Sequence, residues 1–256
     1  SGNLTLRKGA LDHFDTIFAP CTHNKAEIRA IEKVYGLKEK RIVEWGSGVL
    51  DNMIKNFESM EHKENEIKTI LIAPSWQENN ILDLCIEDML DNILDKGYKV
   101  IVRPHPQYVR HFSTKIDKLI EKYKDKIGDN FIVEKDFSSN VTVYTADLLV
   151  TDWSGIAFEY SFATKKPTLF VDTPMKVMNP EYKKIDIIPF DIEARTLIGK
   201  SISPDNMSNF ENVVKDLLDN QKQYEKDIEK IRDERLYNIG CSGEAGGKYI
   251  IERLKE

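Results

Sequence analysis

Short apolar runs recur along this chain, separated by longer stretches whose apolar positions return every three or four residues. The runs at 16–20, 41–45, 69–73, 99–102, 131–133, 147–150 and 167–171 predict buried strands. Between them, residues 24–35 set Ile28, Ile31, Val34 and Tyr35 on one side of a helix that Gly36 stops as a C-cap. Residues 81–96 carry a one-sided apolar stripe at 82, 85, 86, 89, 90, 93 and 94. Further helices are predicted over 113–126, 156–163 and 244–254, with one or two long helices over 209–235. Residues 141–145 read as a short helix or an extended turn, and 172–208, with four prolines and no clear period, fits no element.

Strands alternating with helices predict an α/β fold with a Rossmann-like, doubly wound parallel sheet. Residues 1–55 form a strand–helix–strand piece, and the mostly polar stretch 56–68 reads as a linker or exposed helix end. The expected organisation is therefore a partial lobe over 1–60 and a full lobe over 61–256. No internal repeat or low-complexity segment interrupts this pattern.

Composition narrows the classes of function. The 256 residues are 41% hydrophobic and 31% charged, as in an ordinary globular chain. The net charge of −6 gives no bulk attraction to nucleic acid or anionic membrane. No apolar run approaches the roughly 18–20 residues that span a bilayer, and no secretory leader is visible. Cys21, Cys85 and Cys241 are scattered, which excludes a CxxC metal site and a disulfide framework and favours a reducing compartment. The opening Ser1-Gly2, without Met, reads as a remnant of tag cleavage and suggests a piece of a longer protein.

In doubly wound folds ligands sit at the carboxyl ends of the strands, and the polar motifs fall there. Arg103-Pro104-His105-Pro106 follows one strand. Arg offers a forked donor to phosphate oxygens, and His serves as donor, acid or base near neutral pH. A surface turn with a satisfied His would show the same pattern. Thr151-Asp152-Trp153-Ser154-Gly155 lies between a buried strand and a helix, where unpaired amides and the helix dipole make a phosphate seat; a plain N-cap looks alike. Asp152 is expected to orient this loop rather than titrate. Glu159, one turn further on, is placed to reach ribose hydroxyls or to face solvent. Ser75 and Trp76 follow another strand and either line the same site or pack beside it. Ser242 and Gly243 form a Gly-rich entry into the last helix, a flexible turn that could also cap a phosphate. His23 stands after the first strand with the same ambiguity. His13, His62 and His111 have no partner at ligand spacing, so no metal site is expected. Walker, GxGxxG, GxSxG and HExxH motifs are lacking.

The "RPHP" turn, "TILIAPSW" and "ADLLVTDWSGIAFEYSFATKKPTLFVDTP" together resemble the CDP-glycerol glycerophosphotransferase family, which builds teichoic-acid-like or capsular poly(glycerol phosphate) polymers. Trp153, Gly155 and Glu159 stand where the family often has Tyr, Ser and Asp. The similarity extends over most of residues 10–255. It implies a GT-B architecture of two Rossmann-like lobes, with the nucleotide donor held mainly by the C-terminal one. Residues 1–60 then correspond to the end of the N-terminal lobe, most of the acceptor lobe being absent.

By this resemblance Arg103, His105, Thr151, Asp152, Ser154 and Gly155 map onto the donor diphosphate site, with Arg103 and His105 as its catalytic residues. The expected reaction moves glycerol phosphate, or a related polyol phosphate, from CDP-glycerol to a polymer acceptor and releases CMP. No cofactor is required, and a bridging Mg²⁺ is left open. The resemblance places the work in the cytoplasm at the inner face of the cell membrane. Peripheral membrane contact would come from outside this chain, which shows no basic amphipathic helix; self-association into a homo-oligomer is left open. Two other readings share the fold: a UDP-sugar glycosyltransferase or UDP-N-acetylglucosamine 2-epimerase, and a nucleotide-binding module without activity of its own.

Overall fold

A computed structural model describes residues 2–61 and 64–255. Ser1 and His62, both noted above, lie outside the described residues. The chain divides into two compact units.

The second unit, Glu61–Met175 with Ile198–Ile228, holds a six-stranded parallel sheet. Its strands are β3 (Thr69–Ile72), β4 (Lys99–Val102), β5 (Phe131–Val133), β6 (Leu148–Thr151), β7 (Thr168–Val171) and β8 (Gly199–Ile202), β1 and β2 belonging to the first unit. Their order is β5-β4-β3-β6-β7-β8. This is the doubly wound arrangement expected, and its order reverses between β3 and β6. β3, β6 and β7 are buried throughout, which explains why they read as continuous apolar runs. One face packs Ile70, Ile72, Val100, Val102, Leu148 and Val150 under the helices Ile86–Ile93 and Phe210–Asp219. The last strand, β8, lies in the stretch that had no assignment.

The first unit gathers Ser1–Met60, Lys176–Leu197 and Glu229–Glu256. Its sheet pairs β1 (Thr16–Ala19) with β2 (Arg41–Glu44) in parallel. The helix Thr22–Tyr35 begins two residues earlier than predicted, because the Cys21 Sγ accepts the Asn24 N–H and so caps it. It ends at Gly36, which is left-handed at φ 65° as a C-cap requires. Ile185 is buried with Leu11, Ile28 and Ile31. Gly246 approaches Trp45 so closely that a Cβ would stand 2.7 Å from the indole, and Phe18 meets both Trp45 and Tyr249 edge-on. These contacts assign 176–197 and 229–256 to the first unit, whereas the sequence division put them with 61–256.

Three further elements depart from expectation. Residues 81–96 are broken at Cys85 into the helices Ile81–Leu84 and Ile86–Ile93. Gly48–Ser59 is a helix, capped by the Ser47 hydroxyl accepting the Leu50 N–H; no helix was assigned to most of this span, and its last turn is the exposed helix end that was one of the two readings of 56–68. The turn after β4, to which no helix was assigned, runs on as a short one: Pro106 opens Pro106–His111 at the position where a missing N–H costs nothing.

Candidate functional site

A cavity of about 320 Å³ opens at the carboxyl ends of β3, β4 and β6, beside the reversal of strand order. All its lining belongs to the second unit. Ala73 and Pro74 come from the loop after β3, Arg103 to Pro106 from the loop after β4, and Ser154, Gly155, Ile156 and Glu159 from the segment after β6. Three motifs read separately in the sequence thus meet in one place. A larger cavity, about 650 Å³, lies beyond β7 and β8, but Asp88, Asp172 and Asp205 line it and would repel an anionic ligand.

His105 is the N-cap of the helix Pro106–His111. Its Nδ1 accepts the Gln107 N–H at 3.1 Å. An acceptor at Nδ1 puts the proton of the neutral ring on Nε2, so the imidazole is a donor there. The Trp76 ring stacks on His105, with centroids 6.2 Å apart and planes 28° apart. Opposite, Gly155 caps the helix Ile156–Thr164, where the Ala157 N–H meets the Ser154 carbonyl and the Phe158 and Glu159 N–H groups meet the Gly155 carbonyl, just downstream of the Gly155 and Ile156 amides. Gly155 and Ile156 therefore bring amides and the positive end of a helix dipole to the cavity wall. Glu159 lines the same wall, and burial pushes its carboxyl above the usual range.

Other expected residues are placed differently. The Arg103 guanidinium is buried and engaged with protein acceptors. Nη1 lies 2.9 Å from Glu134 Oε2, 3.0 Å from the Ser139 carbonyl and 2.9 Å from Thr142 Oγ1. Nη2 donates to Asn140 Oδ1 at 3.0 Å. Arg103 thus fixes the segment that follows β5, where direct neutralisation of a diphosphate was expected. Its partners were missed, since nothing in the sequence links a residue to acceptors more than thirty positions away.

Thr151 is fully buried and donates its hydroxyl to the Ala73 carbonyl at 2.6 Å, pinning the end of β6 to that of β3. Asp152 is buried as well. Its Oδ1 accepts the Ser75 and Trp153 amides, both at 2.8 Å, and its Oδ2 accepts the Ile81 N–H at 3.3 Å and the Thr173 hydroxyl at 3.5 Å. One carboxylate therefore clasps the loops after β3, β6 and β7, the orienting role the sequence suggested. Ser75 is held by this clasp, and its buried hydroxyl has no partner.

Ser242 and Gly243 lie in the first unit. There the Asp51 carboxylate accepts the Gly240 N–H at 2.7 Å and the Ser242 N–H at 2.9 Å, together with the Ser242 hydroxyl. The Ser242 amide and hydroxyl offered for a phosphate at this Gly-rich turn are occupied by a protein carboxylate. His23 also lies in the first unit, between Glu27 and Glu193 at 3.5 and 3.4 Å. Among the described residues no group of three His, Cys, Asp or Glu side chains could hold a metal ion. No helix among them is long and apolar enough to cross a membrane.

Among curated proteins, the teichoic acid glycerol-phosphate primase of Bacillus subtilis (strain 168) is 25% identical over 193 residues, covering 69% of this chain and 47% of its own. The chain thus spans about half the length of that relative. The structure of the wall teichoic acid polymerase TagF matches 94% of this chain and 59% of its own, with a TM-score of 0.55 at 20% identity. The Methanocaldococcus jannaschii UDP-GlcNAc 2-epimerase, solved with UDP-GlcNAc and UDP, matches 85% of this chain and 59% of its own at a TM-score of 0.53 and 18% identity. These likenesses establish a GT-B-type α/β fold. The family described as CDP-Glycerol:Poly(glycerophosphate) glycerophosphotransferase matches residues 7–236, so the strand-end motifs that meet around His105 are those of a chain that belongs to this family.

Proposed function

We propose that the cavity at the β3–β6 crossover binds the diphosphate of CDP-glycerol, for transfer of glycerol phosphate to a polymer acceptor. The observation that carries this reading is the meeting of His105 with the amide end of the helix Ile156–Thr164 across one cavity. Donors and a dipole of fixed position suit an anion whose charge shifts during reaction. In the step itself, an acceptor hydroxyl oxygen attacks the β-phosphorus and gives up its proton to a base. The bond from that phosphorus to the CMP oxygen breaks, and CMP leaves with the electron pair. His105, protonated at Nε2, stabilises the charge on the departing oxygen. The amides of Gly155 and Ile156 and the Ser154 hydroxyl hold the non-bridging oxygens. Burial raises the Glu159 carboxyl, and its protonated form adds a donor without repelling the diphosphate. Arg103, through its guanidinium's protein acceptors, and Asp152 fix the loops that carry these groups. Family membership supports CDP-glycerol as the donor and a poly(glycerophosphate) chain as the acceptor.

Calorimetric titration of CDP-glycerol, CMP and UDP-N-acetylglucosamine tests this reading. Cytidine ligands are expected to bind, and His105→Ala and Ser154→Ala to weaken them by about tenfold each, the size of a lost hydrogen bond to a charged group. Preference for the uridine ligand would move the site to a sugar nucleotide. Cytidine binding indifferent to both substitutions would place the donor elsewhere.

A further inference from the structure

The His105 imidazole is held from two sides. Its Nδ1 is fixed by the Gln107 N–H, inside a helix of six residues. Such a helix is too short to persist on backbone hydrogen bonds alone. Two contacts from the segment that follows β3 hold it. The Tyr108 hydroxyl donates to Asp83 Oδ1 at 2.7 Å from a fully buried ring. The Trp76 indole stacks against both ends of the helix: on His105 at its N-cap, and on His111 at its last residue with centroids 6.4 Å and planes 27° apart. Trp76 is 44% exposed, so burial of its own surface is a weak reason for a tryptophan at this position. Its neighbour Ser75 is anchored through its amide to the buried Asp152, which keeps the base of the indole in place. His105 and Pro74, on either side of this contact, both line the cavity.

We infer that Trp76 is a positioning residue for His105, holding the imidazole in the one orientation in which Nδ1 is capped and Nε2 carries the proton. This deepens the proposed function, on which the ligand part of the test rests. Trp76 acts through the histidine ring, while the histidine acts on the phosphate.

The test joins a measurement without ligand to one with it. In the nitrogen-detected imidazole spectrum of the wild-type chain, His105 is expected as the single Nε2–H tautomer. In Trp76→Ala it becomes a mixture of tautomers, and in Trp76→Phe, which keeps an aromatic face, the single tautomer returns. An unchanged His105 signal in Trp76→Ala overturns the inference, whatever the protein binds. In parallel, CMP is titrated into Trp76→Ala, His105→Ala and the double variant. Each single change is expected to weaken binding by about tenfold and the double change little more, because both remove one coupled interaction. Additive losses overturn the inference. Failure of CMP to bind the wild-type chain counts against the proposed function instead, and the tautomer measurement still decides the role of Trp76.

Discussion

Glu159 is the one acidic residue among the described residues lining the cavity, and burial alone raises its carboxyl above the ordinary value of 4.5. The folded protein then keeps this proton to higher pH than the unfolded chain does. The contribution of the group is most favourable below the unfolded value and is lost as pH rises through the raised one. Glu159→Gln cannot ionise, so its stability should fall less than that of the wild type from the ordinary value upward. Urea midpoints at about pH 4 and about pH 7 would read the difference. Identical profiles for the two proteins would mean that the carboxyl is hydrated in the fold. Asp152 shows the opposite treatment of a carboxylate, buried but met by two amides at 2.8 Å. Chain proximity made Ser154, Gly155 and Glu159 legible as candidates, since all follow one strand into one helix. It could not show that Thr151 and Asp152, their immediate neighbours, turn inward to hold Ala73 and Ser75.

Among elements, β8 illustrates what patterning leaves out. Its four residues include a glycine, a lysine and a serine, and only its ends are buried, so neither an apolar run nor a clean alternation marks it. Its place is set by partners, with Thr168 opposite Gly199 and Val171 opposite Ile202. A Cβ at position 199 would stand 1.7 Å from the Thr168 carbonyl oxygen. Gly199→Ala should therefore push β8 from β7 and cost about 3 kcal/mol, the upper range for overpacking against backbone. Amide exchange would show the loss confined first to β8, and a substitution that left exchange along β7 and β8 unchanged would contradict it. The central strands were legible because both faces are covered, and the helix Thr22–Tyr35 because its stripe and terminal glycine agree. The break at Cys85 was hidden because the apolar stripe runs through it without interruption.

Across the molecule the chain passes between its two units four times, after Met60, Met175, Leu197 and Ile228. The boundary near residue 60 was legible from the polar stretch around it. The later crossings were not, because the contacts that define them join Ile185 to Ile28 and Gly246 to Trp45 across long separations. A chain started at Glu61 would keep all six strands of the large sheet and strand the two returning segments. Such a truncation should bind hydrophobic dyes and elute as aggregates in size-exclusion chromatography, and a monomeric fragment without dye binding would show that those segments need no partner. The same threading bears on biosynthesis. The large sheet is complete once β8 has left the ribosome, whereas β1 and β2, made earlier, must wait for the helix Ser242–Arg253 to cover Phe18 and Trp45. Vectorial synthesis and structural closure thus run in opposite order for this small sheet, and β1 and β2 stay without that cover until residues 242–253 have followed.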